Sequence, residues 1–305
     1  MIAERLDRAR GCLLGLAVGD AIGTTVEFKP RGSFTPMTDM VGGGPFGLKV
    51  GEWTDDTSMA LCLGASLLAH DFDLHDQISR YVRWQREGYM SSNGRCFDIG
   101  IATSQALARF KAQNNPRAGS TDPYSAGNGC LMRLAPVPIR YANDLALAIK
   151  WSGEQATSTH GALECVEASR LFGEILTLAL QGVQDKLQLL KPQSPRLSVA
   201  TSARLQAIAQ GAYFETARTN IKGSGYVVDS LEAALWCFYT TDNFSDAVLA
   251  AANLGDDADT TAAITGQIAG AFYGEAGIPA AWLAKVVMAQ EIGTMAEQLL
   301  TAGEL

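Results

Sequence analysis

The 305-residue sequence predicts an all-α protein, and three observations carry that reading. Apolar residues recur at helical spacing, as in Met59, Cys62, Leu63 and Leu67 and again in Leu171, Ile175 and Leu178. Strand-like alternation is scarce. Hydrophobic residues make up 47% of the chain and glycine supplies 31 positions, a composition suited to a sizeable core of closely packed helices.

Helical stretches are expected over residues 4–20, 57–69, 74–87, 98–112, 130–140, 159–181, 202–213, 229–239, 244–254, 260–273 and 279–300. The stretch 57–69 follows Thr54-Asp55-Asp56-Thr57, and 260–273 follows Asp256-Asp257-Ala258-Asp259-Thr260. Asp98 sits between large apolar neighbours where 98–112 begins, and Ser125-Ala126-Gly127-Asn128-Gly129 leads into 130–140. Residues 28–53 hold Pro30, Pro36, Gly42-Gly43-Gly44-Pro45 and Gly47, which break helix and predict a mobile loop. Residues 113–129 form a second loop, and 184–200, with Pro192 and Pro195, read as a surface excursion. None resembles a long linker. The two acidic clusters lie near opposite ends of the chain, so a shared site implies one domain over residues 1–305.

A net charge of −8 argues against general binding to nucleic acid or anionic membranes. No run of 18 uncharged apolar residues predicts a membrane span, and the N-terminus does not read as a secretory signal. Six scattered cysteines, none in a CxxC pair, read as reduced, mostly buried thiols of a cytoplasmic protein. A monomer is the default expectation.

Both acidic clusters place carboxylates beside a threonine hydroxyl. Such oxygen donors are hard ligands that suit Mg²⁺, Mn²⁺ or Ca²⁺. Asp55, Asp56, Asp257 and Asp259 in one cleft would carry about four negative charges at low dielectric, which two divalent cations cancel. Read singly, each cluster is equally a helix cap. Glu27 is either a solvated loop acid or a general acid/base on a flap. Asp98 is either an N-cap or a carboxylate aimed into the cleft. The small residues Ser125, Gly127, Asn128 and Gly129 before a helix are a tight turn or a phosphate cradle. His160 reads as a structural group or part of a ligand wall, and Tyr226 as a packed ring or a base-stacking one.

In this order, the residues resemble the ADP-ribosylglycohydrolase family, and in particular its dinitrogenase-reductase-activating branch. The matching segments are Gly15–Gly23, Trp53-Thr54-Asp55-Asp56-Thr57, Gly94–Gly100, Gly127-Asn128-Gly129 through Arg133, Thr159-His160 and Gly255–Thr260. The resemblance implies an all-α fold with a binuclear Mg²⁺ or Mn²⁺ centre that hydrolyses ADP-ribose from an ADP-ribosylated protein, usually at arginine. It implies Thr54, Asp55, Asp56, Asp257, Asp259 and Thr260 as metal ligands. Asp256 replaces a common glycine and stays outside the ligand set. It further implies Asp98, with Glu27 on a flap, as acid/base. Ser125, Gly127, Asn128 and Gly129 would lie along the diphosphate, with His160 in the ligand wall. Serine-linked or O-acetyl-ADP-ribose is the alternative substrate. An ADP-ribose binder without catalysis and an isoprenoid-synthase-like enzyme are the rival readings; the adjacent, threonine-flanked Asp55-Asp56 disfavours the latter.

Overall fold

A computed structural model describes residues 2–191 and 202–303. The described residues are helical, with only isolated bridges in place of strands, in agreement with the expected fold class. The helices are α1 (Ile2–Gly23), α2 (Asp55–His70), α3 (Leu74–Glu87), α4 (Ile101–Gln113), α5 (Gly129–Met132), α6 (Pro136–Arg140), α7 (Leu145–Ala156) and α8 (Leu163–Leu180). They continue with α9 (Lys186–Leu190), α10 (Ala203–Ala209), α11 (Val227–Tyr239), α12 (Phe244–Ala252), α13 (Ala258–Tyr273), α14 (Ala280–Leu283) and α15 (Ala289–Ala302). No helix of the described residues is long and apolar enough to cross a membrane.

At the centre, α1 lies antiparallel against α13, and this is the most extensive helix pair. Glycine recurs every fourth residue along one stripe of α1, at Gly11, Gly15, Gly19 and Gly23. The facing stripe of α13 is Gly270, Gly266, Ala262 and Ala258. The backbones touch: a Cβ built on Gly266 would lie 2.0 Å from the Gly15 carbonyl oxygen, and one on Gly19 would lie 2.1 Å from that of Ala262. Both helices are buried for most of their length. The contact carries the C-terminal end of α1 to the N-terminal end of α13, where the second acidic cluster begins.

Several boundaries differ from expectation, each for a local reason. The stretch 130–140 is split into α5 and α6, because Pro136 cannot continue a helix from Met132. The stretch 279–300 is likewise two helices, with Met288 at φ +61° between them. The stretch 98–112 starts only at Ile101, capped by Gly100, and 159–181 starts at Leu163. Helix α7 was not expected. Its buried face is Ala148, Ser152, Gln155 and Ala156, which keeps helical spacing without a hydrophobic stripe. Helix α9 falls in the expected excursion 184–200, while Pro192 and Pro195 lie outside the described residues.

The 28–53 segment is not a free flap. Asn253 brackets Met37, accepting its N–H at 2.7 Å and donating to its carbonyl at 3.0 Å. Lys285 pairs with Asp39 at 2.7 Å, and the buried Trp53 donates Nε1–H to Val287 O at 2.9 Å. Glycine allows this close approach. Gly44, at φ +70°, would place a Cβ 2.2 Å from the Thr24 carbonyl oxygen.

Gly266→Ala should force α1 and α13 apart and cost about 1–3 kcal/mol, seen as a lowered melting temperature. Gly100→Ala, whose Cβ would meet nothing within 4 Å, should leave the melting temperature near the parental value. Equal melting temperatures for the two variants would contradict the backbone contact.

Candidate metal centre and substrate cleft

The centre is assembled from three places in the chain. Asp20 comes from the last turn of α1, Thr54-Asp55-Asp56 from the start of α2, and Asp257, Asp259 and Thr260 from the start of α13. The two clusters meet: Thr260 Oγ1 lies 3.4 Å from Asp56 Oδ2 across 204 residues of sequence. Carboxylate oxygens of Asp20, Asp56 and Asp259 lie within 4.8 Å of one another, and so do those of Glu27, Asp257 and Asp259. Asp259 belongs to both groups, so two candidate cation positions adjoin through a shared carboxylate.

Neither cluster serves to cap its own helix. Thr54 is the N-cap of α2 and Asp257 that of α13, yet neither side chain accepts a backbone N–H of its own first turn; Thr54 Oγ1 instead donates to Asp56 Oδ2 at 3.2 Å. Asp20 supplies the cap of α2 from another helix. Its Oδ1 accepts from Thr54 N and Thr54 Oγ1, both at 2.9 Å. Its Oδ2 accepts from Thr57 N at 3.0 Å and Thr57 Oγ1 at 2.6 Å. Through these four bonds Asp20 braces the first cluster while its carboxylate also borders the candidate cation position shared with Asp56 and Asp259. Asp20 lies within the Gly15–Gly23 segment, where the sequence alone assigns it no role. Its signal is the lone charge in the apolar, glycine-striped second half of α1, residues 11–23. On the other side, Asn128 Nδ2 donates to Asp257 Oδ2 at 2.7 Å and orients it.

A cleft of about 840 Å³ opens above this floor. Glu27, Asp55, Asp98, Asp257, Asp259 and Thr260 line it, together with Asn128, Gly129 and His160. Thr54 and Asp56 lie beneath the lining. Ser125, Gly127 and Tyr226 line a neighbouring cavity of about 810 Å³, which shares Ile101, Ala102 and Gly225 with the first.

Burial and mutual repulsion dominate the electrostatics. Burial pushes Asp55, Asp56 and Asp259 well above the usual carboxylate range, and neighbouring carboxylates add to it. Glu27 is raised to about 9 by burial and then by Asp98 and Asp257. Asp98 is raised to about 7 by burial and then by Asp20. Asp56 Oδ1 and Glu27 Oε2 are buried with no hydrogen-bond partner among the described residues. Clustered oxygen donors, unpartnered buried oxygens and uncompensated negative charge together fit hard divalent cations.

Other expectations change in detail. Glu27 is not on an exposed flap. It follows a 3₁₀ turn, Thr24–Val26, is 4% exposed, and stands in a ligand-like group. Asp98 is no N-cap; it is half-buried on the cleft wall at φ +56°. In the Ser125–Gly129 turn, Gly127 N donates to Ser125 O at 2.8 Å and Asn128 N to Gly225 O at 3.0 Å, so these two amides secure the turn itself. Its glycines make room for His160: a Cβ on Gly129 would lie 2.6 Å from that ring. Burial holds His160 neutral, lowered to about 3, with Nδ1 paired to Thr159 Oγ1 at 2.8 Å. The Tyr226 hydroxyl donates to Glu164 Oε2 at 2.6 Å, which fixes its ring at the edge of the second cavity.

Asp20→Asn should leave an amide N–H₂ facing the N–H or hydroxyl donors of Thr54 or Thr57. Cation affinity, measured by calorimetry with Mn²⁺, should fall about 10–100-fold while the helical content is kept. Unchanged affinity would show that Asp20 does not position the centre.

A profile of the ADP-ribosylglycohydrolase family matches residues 1–305. An ADP-ribosylarginine hydrolase, Tri1, of Serratia proteamaculans (strain 568) is 48% identical over 298 residues, covering 97% of this chain and 80% of that protein. The ADP-ribosyl-[dinitrogen reductase] glycohydrolase of Rhodospirillum rubrum is 33% identical, covering 93% and 92%. The dinitrogenase-reductase-activating branch is thus not the best match, which corrects the finer part of the sequence-based resemblance. A solved structure described as an ADP-ribosylglycohydrolase-related protein complex superposes with a TM-score of 0.88 at 41% identity over 99% of each chain. With a family profile matching the whole chain and a relative 48% identical over nearly all of it, this protein belongs to the ADP-ribosylglycohydrolase family.

Proposed function

We propose that the protein is a divalent-cation-dependent hydrolase that releases ADP-ribose from modified arginine side chains. The observation that carries this reading is the pair of buried acid groups sharing Asp259 at the floor of the cleft. The 48% identity to a protein named ADP-ribosylarginine hydrolase supports arginine over serine or O-acetyl linkages. On this reading residues 1–305 work as one domain, because α1 and α13 between them supply both sides of the centre.

Asp55, Asp56, Asp257 and Asp259, with the Thr54 and Thr260 hydroxyls and the adjoining Glu27, would hold two Mg²⁺ or Mn²⁺ ions. Such ions, when bound, grip sugar hydroxyls and lower the pKa of water. Asn128 keeps Asp257 turned to the floor. Asp98 faces the same space from the wall and carries the proton. It protonates the departing guanidino nitrogen as the glycosidic bond breaks through an oxocarbenium-like transition state, and regains a proton from the water whose oxygen bonds to the anomeric carbon. His160 is neutral and supports the Gly127–Gly129 turn from below, where the diphosphate crosses between the two cavities. Tyr226, held by Glu164, closes the far side.

The test is incubation with an ADP-ribosylarginine peptide, scoring free ADP-ribose. Turnover should require Mg²⁺ or Mn²⁺ and stop with chelator. Asp55→Ala and Asp257→Ala should lower kcat about 10³-fold or more by removing cation ligands. Asp98→Asn should lower kcat about 10²–10⁴-fold while ADP-ribose binding persists in calorimetry. Chelator-resistant release at the parental rate would defeat the reading, and binding without release would favour a non-catalytic ADP-ribose binder.

A further inference from the structure

Two residues at the mouth of the cleft have no part in the centre described above. Phe28 is 66% exposed, unusual for a large apolar side chain, and lines the cleft directly after the buried Glu27. Its ring is propped edge-on against Phe46 at 6.4 Å, and Phe46 leans on Phe97 at 5.5 Å. Asp256 also lines the cleft and is exposed. Phe28 N donates to Asp256 O at 2.7 Å and Asp256 N to Lys29 O at 2.8 Å, which locks the two residues side by side. Both adopt the left-handed conformation, at φ +62° and +56°, where a side chain is uncomfortable and glycine would be easier.

The Asp256 carboxylate makes no hydrogen bond or ion pair among the described residues. Arg31 acts on it electrostatically, but the Arg31 guanidinium is occupied by the carbonyls of Leu254, Arg218 and Ile221. Beneath the pair, Glu27 presents a buried carboxylate oxygen without a partner. The mouth therefore offers an aromatic face beside an unpaired carboxylate. A planar cation satisfies both, stacking on the ring and pairing with the acid.

Resting on the arginine reading above, we propose that Phe28 and Asp256 form an acceptor subsite that holds the guanidinium and stem of the modified arginine. The ring takes the flat face of the guanidinium or its aliphatic stem, and Asp256 takes its charge. A serine hydroxyl gains nothing from either. The pair thus selects the linkage, while ADP-ribose itself is held by the rest of the cleft.

The test uses the full-length, cation-loaded protein and the variants Asp256→Asn, Asp256→Gly and Phe28→Ala. Asn and Gly both tolerate a positive φ, so loss of fold does not confuse the result. With an ADP-ribosylarginine peptide, KM should rise about tenfold for the Asp256 variants and about fivefold for Phe28→Ala, with kcat within about twofold. Calorimetric affinity for ADP-ribose should be unchanged. Binding of agmatine, a free guanidinium probe, to the ADP-ribose-loaded protein should weaken by the same factors. Parental KM and agmatine affinity in all three variants, or an equal fall in ADP-ribose affinity, would overturn the subsite. If the parental protein releases no ADP-ribose from the peptide, the arginine reading fails, and agmatine binding still decides whether the subsite exists.

Discussion

The backbone contact between α1 and α13 is the constraint on which the rest depends. Side chains as large as valine would hold these helices several ångströms further apart. Glycine and alanine at every fourth position let carbonyl oxygens approach the opposing chain to van der Waals distance. That closeness brings Asp20, near the end of one helix, against the acidic start of α2, with Asp259 at the start of the other beside both. A centre built on rigid helix ends keeps its geometry better than one built on loops. The remaining helices wrap this pair and bury it on nearly every side.

The second organising force is unfavourable. Six carboxylates, those of Asp20, Glu27, Asp55, Asp56, Asp257 and Asp259, converge in a largely buried space. Left alone they repel, and their acidities weaken accordingly. The fold tolerates this by dividing the labour. Asp20 accepts four hydrogen bonds from Thr54 and Thr57, and Asp257 takes a donor from Asn128. Asp56 Oδ1 and Glu27 Oε2 remain without a donor, and a cation is the group that suits them. The stability sacrificed at this spot is held in reserve for binding.

Much of the site was legible because its chemistry is carried by short contiguous words. Asp55-Asp56 and Asp257-x-Asp259 name their own donors, and a helix following each cluster follows from the apolar periodicity. Helix α3 matched its expected span because Asp73 caps it, Gly88 ends it in the left-handed conformation and its apolar stripe is strong. Helix α7 escaped notice because its inner face is made of small and polar residues that pack against α8, as where Gly173 meets Ser152. The 28–53 segment looked loose because proline and glycine were read as freedom. Its anchors are Asn253, Lys285 and Val287, more than two hundred residues away, and no local pattern reveals them.

The amino-acid order alone therefore determined the helical class and the two oxygen-rich clusters, whose donors suit hard cations, since each depends on near neighbours in the chain. Only the tertiary structure decided that Asp20 is the brace of the first cluster, that Glu27 joins Asp257 and Asp259, and that Gly127 and Gly129 make way for His160. It alone decided, too, that Phe28 and Asp256 share the cleft mouth. These are relations between side chains brought together by a close helix pair. Distances of that kind arise from the packing of the whole chain and are written in no single segment of it.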